Sequence, residues 1–376
     1  MRTAIVCGGA PMGGKEMMAL ELGEGLASKA CAVEFVTSRW SNGEFESRLQ
    51  TLDLPASSVW FGFISATLRL DCLRMTAHQL SRWPHLLLGY RRFLRRVNPE
   101  KVIHTNWQSL LLILPFLKPE RDIFWLHDVI PDKPQYRRVF NLFSKRLGLF
   151  VPVSNAVAES LLRIGISRDK IRVIHNGIVG PASAQICERR RSKNLCIGIV
   201  GRVGEWKGHS DLVEAFSQIV PRQPTAELHI FGPGSSEYVI KLKQRAEQLG
   251  IASRLFWHGF VSDKARIYSE IDVCVVPSRC ADSLPTVAIE AAFFGLPVVA
   301  TRRGGLPEII DDGVTGYLVE AERPQELAQR LGELLQCVEL REKMGAAAHL
   351  RARQHFSRER FVGEFLRVLG AGEKLS

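Results

Sequence analysis

The sequence contains no apolar run long enough to cross a membrane; the nearest block, Leu110 to Leu117, is broken by Pro115 and reads as core. The opening apolar run, within MRTAIVCGGAPMGG, is too short for a secretory h-region, so a cytoplasmic setting is expected. Eight cysteines are scattered without a C-x-x-C pair, and no histidines sit at zinc spacing. This excludes a zinc ribbon and a disulfide framework, and implies reduced thiols without a structural metal. The first glycine loop is not G-x-G-x-x-G, so no dinucleotide cofactor is indicated, and no nucleophile elbow is present. There is also no internal repeat at the roughly 20- to 50-residue periods of solenoids and no low-complexity tract.

What is there is a 376-residue chain of ordinary globular composition, long enough for two domains with separate cores. The net charge of +11 is unevenly placed. Residues 1–175 hold 24 Lys and Arg against 15 Asp and Glu, the remainder 26 against 24. The excess is concentrated in Arg91, Arg92, Arg95 and Arg96, and in Lys133, Arg137, Arg138, Lys145 and Arg146. Interspersed with Phe93, Leu94, Phe140, Leu142 and Phe143, these read either as solvated helix faces or as basic amphipathic segments suited to anionic lipid. No nucleic-acid motif and no regular basic and aromatic interleaving accompanies them, so no nucleic-acid partner is expected.

The pattern along the chain is strand, loop, helix, repeated. Residues 3–7 read as a strand, the glycine-rich stretch to Gly14 as a loop, Lys15 to Lys29 as a helix and Val33 to Thr37 as the next strand. Residues 59–98 are helical in tendency; Lys101 to His104, Asp122 to Leu126, Leu149 to Val153 and Ile171 to Ile174 read as further strands. Pro181 to Asn194, polar and aperiodic, reads as a linker between a first domain at 1–180 and a second at 195–356. The second opens with Cys196 to Val200, followed by strands at Leu228 to Phe231 and Leu255 to Trp257 and a loop from His258 to Val261.

The most informative stretch is Pro277 to Pro297, PSRCADSLPTVAIEAAFFGLP. Asp272 to Val276 reads as a buried strand, and a helix follows, with Ser283 as its N-cap, Pro285 in its first turn and Gly295 at its stop. Such a helix start beyond a strand's carboxyl end presents free N–H groups to an anion. Asp282 and Glu290 bracket it, separated by about 10 Å along the axis at about 1.5 Å per residue. This spacing suits either a sugar nucleotide lying along the helix start or, more blandly, one surface Asp and one solvent-facing Glu.

Asp282-x7-Glu290, with Gly295 and Pro297-Val298-Val299, and the segment GGLPEIIDDGVTGYLV from Gly304, resemble retaining GT-B glycosyltransferases of glycosyltransferase family 4. The family usually has Glu where this chain has Asp282, and Pro285 replaces a common Gly. The resemblance implies two Rossmann-like doubly wound domains facing across a cleft, with the last helix, about 357–376, crossing back onto the first. It assigns donor binding to Gly14, Arg202, Lys207, Gly232, Val261, Asp282, Leu284, Thr286, Val287 and Glu290. Catalytic roles fall to His127, Asp282, Arg202 and Lys207, with no metal. Arg202 and Lys207, in the Gly201 to Gly208 loop, would bind the donor diphosphate together, the amides of Thr286 and Val287 assisting. His127 would contact the sugar and stabilise charge.

The activity so implied is retaining transfer of a hexose-type sugar from a UDP- or GDP-sugar, without cofactor, to a glycan or lipid-linked acceptor. The setting would be bacterial surface polysaccharide, lipopolysaccharide or glycolipid synthesis, with peripheral contact to the cytoplasmic face of the inner membrane. A sugar-nucleotide epimerase and a non-catalytic GT-B or nucleic-acid-binding protein are the alternatives. Turnover of the donor without an acceptor marks the first, and binding without turnover the second.

Overall fold

The computed structural model describes residues 1–7, 12–62, 64, 70–181 and 194–370. It divides into two compact units, one of Met1–Ile178 together with the chain from Arg358, the other of Val179–Ser357. In the first unit, β1 (Arg2–Val6), β2 (Ala32–Ser38), β3 (Ala56–Val59), β4 (Lys101–His104), β5 (Asp122–Leu126) and β6 (Leu149–Pro152) form one parallel sheet, ordered β3-β2-β1-β4-β5-β6. The central strands are short β-branched and aromatic runs with almost no solvent exposure, as a parallel sheet covered on both faces requires.

The Gly14–Ala27 helix begins where the Gly13 N–H donates to the Glu16 carboxylate at 3.1 Å, satisfying one of the orphan donors of a helix start. The Arg358–Val368 helix, from the far end of the sequence, lies directly against it. A Cβ on Gly25 would come within 2.2 Å of Val362, so only glycine permits that approach. Phe361 and Phe365 of the same helix pack their rings 5.7 and 5.1 Å from buried Trp125 on β5.

In the second unit, β7 (Cys196–Val200), β8 (Glu227–Phe231), β9 (Leu255–Gly259), β10 (Val273–Val276), β11 (Val298–Thr301) and β12 (Gly316–Val319) are ordered β12-β11-β10-β7-β8-β9. Its core gathers Ile197, Leu228, Val273 and Val299 from the strands with Phe216 and Leu331 from helices. Burying each such side chain contributes about 1.5–3 kcal/mol before entropy is counted. Numbered within its own unit, each sheet has the strand order 3-2-1-4-5-6, and all the pairings are parallel. Both units are therefore doubly wound, Rossmann-like sheets, in which ligands bind beyond the carboxyl ends of the two strands flanking the reversal. Here those pairs are β1 with β4, and β7 with β10.

The structure adds one strand and corrects three expectations. The strand Ala56–Val59 lies in a stretch whose polar serines carry no strand signal; it is an edge strand, held by its pairing with β2. Ile171 to Ile174 is not a strand. Arg172 and Ile174 donate to β6 carbonyls at 3.0 and 3.1 Å, but only Phe150 and Ile171 form a bridge. His258 and Gly259 belong to β9 and not to the loop after it, because pairing with β8 carries the strand on past a bulge at Ile230 and Phe231. Ser283 is not a helix cap, since the helix starts one turn later at Thr286, with Pro285 at the N-cap.

In the basic segments Phe93, Phe140 and Phe143 are buried in the first unit's core, whereas Trp83, Leu88 and Leu142 of the same Trp83–Val97 and Pro134–Ser144 helices are exposed. The arginines and lysines of these segments remain exposed, with Arg96 paired to Glu34. Among the described residues no helix is long and apolar enough to cross a membrane. Of the expected linker, residues 182–193 lie outside the described residues.

Candidate active site

The second unit's switch point is built from the loop after β7 and the loop after β10. The first runs from Gly201 through a short 3-10 turn, Glu205–Lys207, to Gly208, where the His209–Ile219 helix begins. Gly208 has φ +74°, and a Cβ there would lie 1.8 Å from the Pro277 carbonyl oxygen. Only glycine lets the two loops cross so closely. The crossing sets Lys207 beside the residues that follow Pro277.

Lys207 Nζ donates to both Asp282 carboxylate oxygens, at 3.0 and 2.8 Å. Ser278, the second residue beyond β10, donates its hydroxyl to the same carboxylate at 2.6 Å, and its own carbonyl is held by the Thr301 hydroxyl at 2.7 Å. A third loop, after β11, completes the seat. Gly305 N–H donates to the Asp282 carbonyl at 2.8 Å, and a Cβ on Gly304, at φ +57°, would meet that same oxygen at 1.9 Å. The Gly-Gly pair is therefore a backbone cradle for Asp282. Both partners of the ion pair are about one quarter exposed, so it remains open to a ligand.

The Thr286–Phe293 helix starts four residues after Asp282, with Thr286 and Val287 half-buried at its opening turn. Just over one turn in, Glu290 is 8% exposed and bound from two sides. Lys264 Nζ donates to it at 2.8 Å, and the Tyr268 hydroxyl donates at 2.8 Å. Burial and the adjacent Glu290 charge push the Tyr268 hydroxyl pKa well up, so it stays a donor. Nearby, Arg279 makes a two-point contact with Asp211 at 2.8 and 2.5 Å, which holds its pKa above the ordinary arginine value.

Two matches to protein families follow this geometry. Residues 187–351 match the family model described as Glycosyl transferases group 1, and residues 12–179 match the one described as Glycosyltransferase Family 4. The chain belongs to the group 1 glycosyltransferases. Its curated relatives include a D-inositol 3-phosphate glycosyltransferase of Corynebacterium jeikeium (strain K411), 35% identical over 182 residues, 45% of this chain and 43% of the relative. Spore coat protein SA of Bacillus subtilis (strain 168) is 31% identical over 240 residues, 58% of this chain and 63% of that protein. The matches thus span less than two thirds of these relatives. Among solved structures, Anabaena HepE in complex with UDP superposes with a TM-score of 0.83 at 20% identity, covering 99% of this chain and all of that one. The lipopolysaccharide outer core galactosyltransferase WaaB gives 0.74 at 16% identity, covering 98% and 99%. The shared architecture is GT-B.

In this member of the family the residues singled out from the sequence are distributed unevenly. Lys207 and Asp282 come together, with the helix start carrying Thr286 and Val287 beyond them. Arg202 and Lys207, in the same loop, have different surroundings. Arg202 is exposed and has no carboxylate partner among the described residues; it lines a groove of about 580 Å³ with Trp206, Pro233 and Tyr238, whereas Lys207 turns to Asp282. Glu290 is a buried, doubly bonded carboxylate and not a solvent-facing one. Leu284 is 4% exposed and packs as core, leaving its backbone as the part available to a ligand. Gly232 sits where a Cβ would strike the Gly201 carbonyl at 1.9 Å, Gly14 opens the first unit's first helix facing open space, and Val261 is half-buried after β9.

His127 follows β5 in the first unit. Its Nε2 is sealed from solvent without a hydrogen-bond partner among the described residues, and its ring lies 4.2 Å from Trp125. Burial, then the nearby Lys15 charge, push its pKa well below the ordinary histidine value. It is a neutral imidazole at physiological pH, able to hydrogen-bond but not to place a positive charge. Ser278, Tyr268, Lys264 and Arg279 escaped the sequence reading. Ser278 was reachable from its place just past a strand end; Lys264 and Tyr268, 26 and 22 residues before Glu290, carry no local signal.

Proposed function

We propose that this protein transfers a hexose-type sugar, with retention at the anomeric carbon, from a UDP- or GDP-sugar to a glycan or lipid-linked acceptor. The observation that carries this reading is the Lys207–Asp282 contact, 2.8 Å long, at the carboxyl ends of β7 and β10 and beside a helix N-terminus. A departing nucleoside diphosphate concentrates negative charge on its phosphate oxygens, and a fixed ammonium and aligned backbone N–H groups stabilise that charge as it forms. The acceptor hydroxyl oxygen forms the new bond to the anomeric carbon as the bond to the phosphate oxygen breaks. The electron pair leaves with the diphosphate, which takes the hydroxyl proton on the same face. No protein nucleophile enters this scheme.

Asp282, aligned by Lys207 and Ser278, would hydrogen-bond hydroxyls of the transferred sugar. Glu290, aimed by Tyr268 and Lys264, would take the ribose. Arg202 would reach the phosphates from its own side of the groove. The donor assignment is supported by structural neighbours crystallised with UDP and with UDP-glucose, and the acceptor class by the galactosyltransferase of the lipopolysaccharide outer core. Peripheral contact with anionic membrane remains part of the proposal in a changed form. The exposed arginines of the Trp83–Val97 helix would act electrostatically, and the Leu70–Ser81 helix before it exposes Leu70, Leu73, Met75 and Leu80.

The deciding assay incubates purified protein with UDP-, GDP- and ADP-sugars, with and without lipid extract, and follows both diphosphate release and the sugar. Release with one donor, enhanced by the extract, supports the proposal. Interconversion of the donor sugar without acceptor points to an epimerase, and absence of both turnover and donor binding removes the transferase reading. Co-sedimentation with vesicles that does not respond to anionic lipid content would remove the membrane part.

A further inference from the structure

At the opposite end of the second unit's sheet, the first residues of β7 and β8 bring a thiol, a carboxylate and an imidazole together. Glu227 Oε2 lies 3.8 Å from Cys196 Sγ and 3.3 Å from His229 Nε2, and all three atoms lie within 4.8 Å of one another. The other Glu227 oxygen is occupied by the Asn194 side-chain amide at 2.6 Å, which orients the carboxylate and leaves Oε2 facing the other two groups. The remaining nitrogen of the imidazole, His229 Nδ1, is 3.1 Å from His258 Nε2 on β9.

We infer that Cys196, Glu227 and His229 form a binding site for one divalent transition-metal ion of the zinc class, with water as the fourth ligand. The distances suit it. A triangle with edges of 3.3, 3.8 and at most 4.8 Å has its centre no more than about 2.4 Å from each corner, close to the roughly 2.0–2.3 Å bonds of zinc to N, O and S. A tetrahedral ion also bound to water sits out of the plane of its three protein ligands, which the side chains reach by drawing together by up to about 1 Å. A sulfur, a nitrogen and a carboxylate oxygen are a donor set for zinc or cobalt and a poor one for magnesium or calcium. For Nε2 to bind metal, Nδ1 must hold the proton, and His258 Nε2 is placed to accept it. Metal-bound histidines usually make such a supporting bond to a carboxylate, carbonyl or water, and here an imidazole nitrogen takes that place. Glu227 and His229 are 18% and 11% exposed, so the site is shielded while remaining reachable.

The ion is structural and takes no part in transfer. Cys196 is four residues from the end of β7, so the site lies about 13 Å from the Gly201 loop at about 3.3 Å per residue. It ties the first strand of this unit to its neighbour through residues 31 and 33 positions apart. Such spacing in sequence carries no zinc signature, which is why the sequence alone shows no metal site.

The test uses the full chain, stripped with chelator and titrated with Co²⁺. The expected result is a thiolate-to-cobalt charge-transfer band in the near ultraviolet that saturates at one ion per chain and is displaced by Zn²⁺. Zn²⁺ at about a hundredfold excess over its Kd should raise the melting temperature by roughly 5 °C or more. Cys196→Ser should lose the band, and Glu227→Gln and His229→Ala should each weaken cobalt binding at least tenfold. Absence of a saturable band, or a band that survives in Cys196→Ser, overturns the inference. If Cys196→Ser does not fold by circular dichroism, Glu227→Gln decides, and unchanged cobalt affinity there overturns it equally. None of these readouts depends on glycosyl transfer.

Discussion

Lys207→Ala separates the catalytic reading of the Lys207–Asp282 pair from a purely structural one, because the two predict effects of different size. The substitution removes an ammonium bonded at 2.8 and 3.0 Å to a carboxylate that keeps its Ser278 donor at 2.6 Å and its backbone cradle. Both side chains are about a quarter exposed, so the pair is worth no more than a surface ion pair, about 0.2–1 kcal/mol. For units of this size that lowers Tm by about 1–4 °C. Losing one fixed charge that stabilises a leaving group costs far more, about 2.7–4 kcal/mol, which slows turnover roughly 10²- to 10³-fold. Steady-state rates and calorimetry on one preparation give both numbers. Turnover should slow by about a hundredfold or more while Tm shifts by only a few degrees. Turnover within about threefold of the parent, or a rate loss that simply follows a large drop in Tm, would refute the leaving-group role.

Gly208→Ala places a methyl 1.8 Å from the Pro277 carbonyl at φ +74°, so the loop must move. At least about 1–2 kcal/mol of stability should be lost, and turnover with it, measured by urea denaturation and rate; an unchanged variant would contradict the loop-crossing argument. Tyr268→Phe deletes a buried donor to the Glu290 carboxylate and should cost about 1.5–3 kcal/mol. If Glu290 holds the ribose, the KM for the donor rises more than kcat falls, and the reverse split would remove that role. His209 is buried, with its pKa pushed down to about 4 from an ordinary 6.5. Between those values the unfolded chain binds more protons than the folded one, so stability falls as pH drops through that window, by about 2 kcal/mol at pH 5. His209→Gln should flatten urea-denaturation stability between pH 7 and 5, and an unchanged slope would show that the ring does not contribute.

Most strands of both sheets were readable because they are short apolar runs ended by glycine or a polar turn. The same holds for Gly208 and Gly304, whose placement beside Lys207 and Asp282 follows the family pattern. The misreadings have one cause. Ala56–Val59 is a strand because β2 pairs with it, and Ile171 to Ile174 is not one because a single bridge is all that β6 returns. Ser283 has the composition of a cap, yet its carbonyl lies close against Gly305 and the helix opens only after Pro285.

Periodicity by itself indicated the strand, loop and helix alternation of a doubly wound sheet, which follows from local propensity and from the fixed periods of strands and helices. The family and the loops that carry the site came from the resemblance borne by Asp282-x7-Glu290 and the segment from Gly304. Only the tertiary structure decided which charges meet. Lys207 meets Asp282, 75 residues away; Glu290 is bonded by Lys264 and Tyr268; Phe93, Phe140 and Phe143 turn inward; and Cys196, Glu227 and His229 converge. A side chain's partner is set by strand order and by how closely two loops can cross, and neither is a property of a single segment.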